Sequence, residues 1–235
     1  MILRSLTAHI RDQNWFAVGL DFLIVVVGVF IGIQVSNWNQ ARQDAADQAA
    51  LLDRLQEEFI QIEPVLQEWL DLTTTSAEGT GLVITALRET SPPTDEAKFR
   101  FALSRSNWVA SVPDVAATYS QMVSTGRLLE LESTDLRRAL TRYGKAHAQI
   151  ERVNVSAVQV VFNPLQNYYR AVDWEVDPDL WETDQAIVDY DWDLLRASRA
   201  EMQAWLAFQA DLVIFGGDQM AAVQEILSLL GDRPH

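Results

Sequence analysis

The most apolar stretch of the chain lies near its start. From Trp15 to Ile33 the only charged residue is Asp21. As a helix rising ~1.5 Å per residue, this run spans roughly 28 Å, close to the ~30 Å hydrocarbon thickness of a bilayer. Trp15 and Trp38 bracket it, with Asn37 and Asn39 beside Trp38. Aromatic and amide side chains in those places suit the two interfaces of a membrane. The sequence after the apolar core, Gln34-Val35-Ser36-Asn37-Trp38, has no small-x-small cleavage site, which favours an uncleaved anchor over a signal peptide. The expectation is a short cytoplasmic tail over 1–14, a transmembrane helix over 15–35, and the remainder, 36–235, on the other side.

At 100° per residue, Val25, Gly28, Gly32 and Val35 fall within about 40° of Asp21. Gly28 and Gly32 form a GxxxG pair, which lets a second helix approach closely. Asp21, Gly28 and Gly32 are therefore candidates for helix packing or ion coupling. Trp15, Asn37, Trp38 and Asn39 are candidates for contact with the membrane interface. Two placements of Asp21 stay open: among headgroups, or against another protein. Two copies meeting through this face would bring two carboxylates together, and a shared proton or a basic partner would be needed.

Beyond the apolar run, Leu52, Leu55, Phe59, Ile62, Leu66 and Trp69 alternate at spacings of three and four. This heptad-like pattern is that of a bundle helix or a coiled coil. Leu51, Val65 and Leu70 widen the stripe, which favours the bundle. Thr73, Ser76 and Thr80 weaken it, and Pro64, on the outward side, marks a kink or a fresh start. Ser91-Pro92-Pro93 is a break. Thr94 then caps a helix with Asp95 and Glu96 in its first turn and Phe99 and Leu103 inside. Ser111-Val112-Pro113-Asp114 resembles a capping box, and Gly126 is the stop of the helix it opens. Ser133 or Thr134 caps the next, whose inner positions are Leu136, Leu140, Tyr143, Ile150 and Ala157, ending by Pro164. A last helix runs from about Leu194 towards Leu230, with Met202, Leu206, Val213, Met220, Val223, Leu227 and Leu230 inside. Gly216-Gly217 is expected to kink or interrupt it. No segment has a convincing strand pattern. The predicted fold class is all-α: an N-terminal transmembrane helix followed by an extracytoplasmic helical bundle.

Composition narrows the function classes. The net charge is −15, and it stays there without residues 1–35, which hold two arginines and two aspartates. Such a surface repels phosphate backbones, so no nucleic-acid partner is expected. Arginine density places the N-terminal tail, with Arg4 and Arg11, in the cytoplasm. Cysteine is absent, which excludes disulfides and thiolate chemistry. The three histidines, His9, His147 and His235, have no ligand spacing, so no metal or cofactor is expected.

The acidic stretch 173–193 has nine carboxylates and no Lys or Arg. Asp173, Glu175, Asp177 and Asp184 mimic part of a calcium loop. Pro178, however, takes the place where such a loop needs glycine, so a solvated acidic loop is the reading. His147 and Glu151 form an i,i+4 pair of the surface kind. No catalytic residue and no enzyme activity are expected.

The string 13-QNWFAVGLDFLIVVVGVFIGIQVSNWNQARQ-43 resembles the N-terminal signature of an uncharacterised bacterial family of single-pass membrane proteins. The shared motif here is Ile33, Gln34, Asn37, Trp38 and Asn39. A second piece, 118-TYSQMVSTGRLLELESTDLRRALTRYG-144, is similar to the same family. The resemblance implies a protein of the bacterial inner membrane with an all-helical domain, and it implies no reaction. Leu20-Asp21 followed by Phe22–Ile33 also resembles, more distantly, the ion-driven stator peptides of flagellar motors and related complexes. Those have an Asp near the cytoplasmic end of their span. Asp21 departs from them in having an apolar segment before it. The functional expectation is a membrane-anchored interaction or scaffold protein. Its partners would be the lipid bilayer and, through the transmembrane helix, its own copy or another membrane protein. The alternative is an ion-coupled accessory subunit that uses Asp21.

Overall fold

The computed structural model describes residues 15–106, 111–161, 166–175 and 186–232. Of these, 84% are helical and 4% are strand. The chain divides into two compact units, Met1–Leu52 and Asp53–His235. Helix α1, Trp15–Ala86, contributes to both.

In the first unit α1 is bare. Residues 18–47 are all exposed, among them Phe22, Ile24, Val25, Phe30, Ile31 and Ile33. Its most apolar 18-residue window has a mean hydropathy of 2.4, which makes α1 long and apolar enough to cross a membrane.

The second unit is built on three long helices: the later part of α1, α4 (Thr134–Val161) and α7 (Arg199–Gly231). Each buries one stripe. On α1 it runs Leu55, Phe59, Leu66, Trp69, Thr73, Ser76, Thr80 and Val83, with Ile62 half-buried. On α4 it is Leu136, Leu140, Tyr143, His147, Ile150 and Ala157. On α7 it is Met202, Trp205, Gln209, Leu212, Gly216, Gln219, Val223, Ile226 and Leu230. The three-four spacing keeps each stripe on one side of its helix and turns it towards the others. Phe59 meets Tyr143 edge-on at 4.9 Å, Trp69 lies against Gly216, and Gln209 reaches Ser76. Within this unit α1 around Phe59 thus pairs with α4 around Tyr143, and α7 meets α1 at Gly216 and α4 at Gln219. Helices α1 and α4 run parallel, with α7 antiparallel to them.

Shorter elements close the bundle. Helix α2, Glu96–Ser106, folds back along the end of α1. Gly79 lies so close to it that a Cβ there would be 2.9 Å from the Ala102 carbonyl oxygen. Helix α3, Ala117–Thr125, ends at Gly126 with φ 78°, the left-handed stop expected from the sequence, and a 3-10 turn over Arg127–Glu130 follows. Helices α5, Gln166–Ala171, and α6, Trp192–Ala197, flank an antiparallel pair, β1 (Val172–Glu175) and β2 (Ala186–Tyr190). One apolar cluster joins Val83, Phe99, Leu103, Tyr168, Leu195 and Met202 from α1, α2, α5, α6 and α7.

Several expectations need correcting. Helix α1 continues through Pro64. Proline cannot donate to the Ile60 carbonyl, but both residues are exposed, so water can serve that oxygen. Thr73, Ser76 and Thr80 extend the buried stripe rather than weaken it, because the Thr73 and Thr80 hydroxyls donate to the Trp69 and Ser76 carbonyls one turn back. Val65 is exposed and adds nothing to the stripe. Asp95, not Thr94, caps α2, its carboxylate accepting from the Lys98 amide at 3.1 Å. Ser133 does cap α4, accepting from the Leu136 amide at 3.2 Å.

The last helix is two. Asp191 caps α6 through the Asp193 and Leu194 amides, both at 3.0 Å, and α7 begins after Ser198. Of the inner positions expected on it, Leu206, Val213 and Leu227 are only half-buried, while Trp205, Leu212 and Ile226 go inside. Helix α7 passes through Gly216 and Gly217 unbroken.

The ends of the acidic segment pair as strands, against the expectation of no strand. Its middle, 176–185, with the calcium-loop candidates Asp177 and Asp184, lies outside the described residues, as do 107–110 and 162–165. The pairing is held from outside. The Arg100 guanidinium on α2 donates to the Ile187 and Val188 carbonyls and stacks on Tyr190 at 5.2 Å. Phe99 meets Tyr190 and Trp192 edge-on.

The two adjacent glycines of α7 give opposite predictions. A Cβ on Gly216 would sit 2.6 Å from Trp69 Cζ3, whereas one on Gly217 meets nothing within 4 Å. Gly216→Ala should destabilise the full chain in mild detergent by about 1–3 kcal/mol. Gly217→Ala should leave it unchanged or stabilise it by about 0.5–1 kcal/mol. Urea denaturation of the two variants checks both signs.

Candidate functional site

The residues singled out from the sequence all belong to the first unit. Asp21 is exposed on α1, as are Gly28 and Gly32, where a Cβ would meet nothing within 4 Å. Helix α1 runs unbroken past residue 39, so the spacing Asp21, Val25, Gly28, Gly32, Val35, Asn39 is four-three-four-three-four along one face. It presents small and β-branched residues with a polar group at either end. Asn37 is exposed on the other side of the helix. Trp38 is 64% exposed, and the Arg42 guanidinium carbon lies 5.2 Å from its ring centroid. Trp15 begins the described part of α1. The structure thus arranges Asp21, Gly28, Gly32 and Asn39 on one face and leaves Asn37 off it.

Inside the second unit lie two polar groupings. The first surrounds the end of α2. A helix end leaves its last carbonyls without intrahelical partners. Here the Arg105 carbonyl accepts from Ser76 Oγ at 2.8 Å. The Ser106 carbonyl accepts from Thr80 Oγ1 at 3.0 Å, Trp205 Nε1 at 2.8 Å and Gln209 Nε2 at 3.3 Å. The Tyr168 hydroxyl donates to the Leu103 carbonyl at 3.1 Å and lies 3.2 Å from Ser106 Oγ. Gln209 Nε2 also donates to Ser76 Oγ at 2.8 Å, and Gln209 is only 1% exposed. Helices α1, α5 and α7 therefore cap α2 jointly.

The second grouping surrounds Tyr143. Its hydroxyl accepts from the Ala116 amide at 3.2 Å, at the start of α3. The first turn of α3 has no cap from its own Ala116. Glu58 on α1 serves instead, accepting from the Thr118 amide at 2.9 Å and from Thr118 Oγ1 at 2.6 Å. The expected capping box at Ser111–Asp114 is not the cap, since α3 starts at Ala117. Tyr119 packs edge-on to Tyr143 and lies above Gly144, where a Cβ would collide with its hydroxyl. His147 is buried, with Nδ1 3.3 Å from Gln219 Nε2 and Nε2 3.6 Å from Glu151. The pair with Glu151 was legible from the sequence. Its burial was not, because the covering residue, Gln219, is remote in the chain.

These groupings have the chemistry of structural networks. Ser76, Thr80, Trp205, Gln209 and Tyr168 serve the end of α2, and Tyr143 and Glu58 serve the start of α3. Among the described residues, no group of three or more His, Asp or Glu side chains converges as a metal site would require. A shallow groove of about 130 Å³ on the α1–α2 pair is lined by Leu82, Ala86, Pro93, Phe99 and Ala102, with Asp95 and Lys98. Its lining is mainly apolar. Polar residues missed by sequence reasoning, Glu58, Gln209 and Gln219, each bind a segment far away in the chain. Gln209 and Gln219 do sit on the three-four spacing of α7, and that spacing is the signal that could have found them.

Comparison with family models, with curated proteins and with solved structures finds no match for this chain.

Burial pushes the phenols of Tyr168 and Tyr143 above their ordinary value of 10.0, partly opposed by the hydrogen bonds to Ser106 and Ala116. The unfolded chain then releases these protons at lower pH than the folded chain. Their contribution is complete below pH ~10 and is lost as pH rises beyond it. The urea midpoint should fall with a steepening slope above pH ~10. Tyr168→Phe should flatten that slope, while costing about 1 kcal/mol at pH 7 through the lost hydrogen bond. An unchanged slope in the variant would show that Tyr168 does not carry the effect.

Proposed function

We infer that this is a single-pass protein of the bacterial inner membrane, anchored by the first part of α1, whose helical bundle is an extracytoplasmic interaction or scaffold module. The observation that carries this reading is the bare apolar helix. Its exposed side chains include Phe22, Leu23, Ile24, Val25, Phe30, Ile31 and Ile33. Leaving one such side chain in water forgoes roughly 1.5–3 kcal/mol. Seven of them amount to roughly 10–20 kcal/mol, a strong drive towards lipid or protein cover. The N-terminal tail is cytoplasmic in this reading, from its arginines. Membranes washed in alkaline carbonate should retain the chain. Release into the supernatant would remove the anchor reading.

The partner surface in this proposal is the face of Asp21, Gly28, Gly32 and Asn39, meeting a second copy of the chain or another membrane helix. Close approach at the glycines gains packing that Leu or Ile side chains would prevent. In native membranes, crosslinking should trap a defined oligomer or partner. Gly28→Ile with Gly32→Ile should lower that association roughly fivefold to tenfold, a change on the order of 1 kcal/mol. Monomer alone at native abundance would count heavily against it.

A second reading rests on Asp21 being the only charge between Trp15 and Ala41. In it the carboxylate takes and releases a proton beside a multi-span partner, and α1 transmits the change. Asp21→Asn should then abolish function while leaving expression and assembly intact. A variant strain that behaves as wild type would exclude ion coupling and leave the scaffold reading standing.

A further inference from the structure

Among the described residues, Arg42 is paired with no carboxylate. Along its own helix its neighbours are the positions three and four away. Those are Trp38, Asn39, Ala45 and Ala46, none of them acidic. In a chain of net charge −15, Arg42 forms no ion pair among the described residues and lies instead over the exposed Trp38 ring. Nearby Asp44 is engaged by the Gln40 amide at 3.0 Å.

Position gives this meaning. Helical side chains lean towards the N-terminus. Arg42 accordingly reaches back one turn and lies over Trp38, three residues past Val35, the last residue of the expected transmembrane helix. Three residues are about 4.5 Å along the axis. If the apolar run fills the hydrocarbon layer, the guanidinium therefore stands just beyond it, at headgroup depth. Its planar N–H fork matches phosphate oxygens. The ring holds the cation in place, and Asn39, one turn before Arg42 on the same side, adds an amide.

We propose that Trp38, Asn39 and Arg42 form a binding site for the phosphodiester of an anionic membrane lipid. The site rests on the membrane-anchor reading and gives that anchor a specific lipid ligand.

The test uses the full chain in mild detergent with equal amounts of phosphatidylglycerol and phosphatidylcholine, the retained lipid being counted by native mass spectrometry. Wild type should retain phosphatidylglycerol preferentially. Arg42→Gln should reduce that retention about fivefold, as expected for one interfacial cation. Trp38→Ala should reduce it in the same direction. Arg88→Gln, which makes the same charge change at another exposed arginine, should not. Equal retention in wild type and Arg42→Gln would overturn the site, and so would an equal loss in Arg88→Gln. Displacement of the lipid by soluble glycerol phosphate would overturn the lipid assignment in favour of a free phosphate. A carbonate wash separates the two levels. Release of wild type defeats the anchor reading itself, whereas retention of wild type with unchanged lipid binding in Arg42→Gln defeats only this site.

Discussion

Trp69 lies so close to Gly216 of α7 that a Cβ there would be 2.6 Å from its ring. That contact sets the axial register of two antiparallel helices. One heptad further along α1 is Ser76, and one heptad back along α7 is Gln209. These two are hydrogen-bonded at 2.8 Å. Thr80 and Trp205, about one turn further on in each helix, converge on the same Ser106 carbonyl. A slip by one turn would put a Leu-sized neighbour under the indole and separate every one of these pairs. Packed interiors tolerate such displacement poorly, because they are close to crystal density. The glycine that looked like a helix breaker is thus the condition for the helix to be seated.

From that register follows the capping of α2. Its last carbonyls end inside the protein, where an unpaired oxygen costs on the order of 1–3 kcal/mol. Four side chains from two long helices, with Tyr168 of α5, satisfy them. Glu58 does the same for the Thr118 amide in the first turn of α3. In both places the cap comes from across the bundle. Each short helix is thereby tied to one position on α1, and the polar groups specify which packing is correct as well as stabilising it. Arg100 extends this scheme to the strands, since it binds two β2 carbonyls through a guanidinium rooted in α2.

The first unit follows another rule. Along residues 18–47 of α1, apolar side chains are exposed with no stripe selected for burial. A helix apolar all round fits an apolar solvent better than one half of a protein core. On that background the polar residues become informative. Asp21 and Asn39 share the glycine face, while Trp38 and Arg42 stand beside it at the end of the apolar run.

Much of this was readable from the chain because it depends on local periodicity. The apolar run, the stripe from Leu55 to Trp69, the inner face of α4 and the stop at Gly126 are properties of residues within one or two turns of each other. By itself the sequence determined a mostly helical protein, an N-terminal helix suited to a membrane, and the approximate place of each long helix. Tertiary structure decided the rest. Whether Gly216 breaks a helix or receives an indole depends on Trp69, far away in the chain. Whether Ser76 and Thr80 weaken a stripe or complete it depends on the carbonyls that α2 brings to them. The acid-rich segment pairs as strands because Arg100, Phe99 and Trp192 hold it, not because its own residues favour a sheet. Glycine, serine, threonine and carboxylate side chains take their meaning from whatever packs opposite, and that partner is set by the fold rather than by neighbours along the chain.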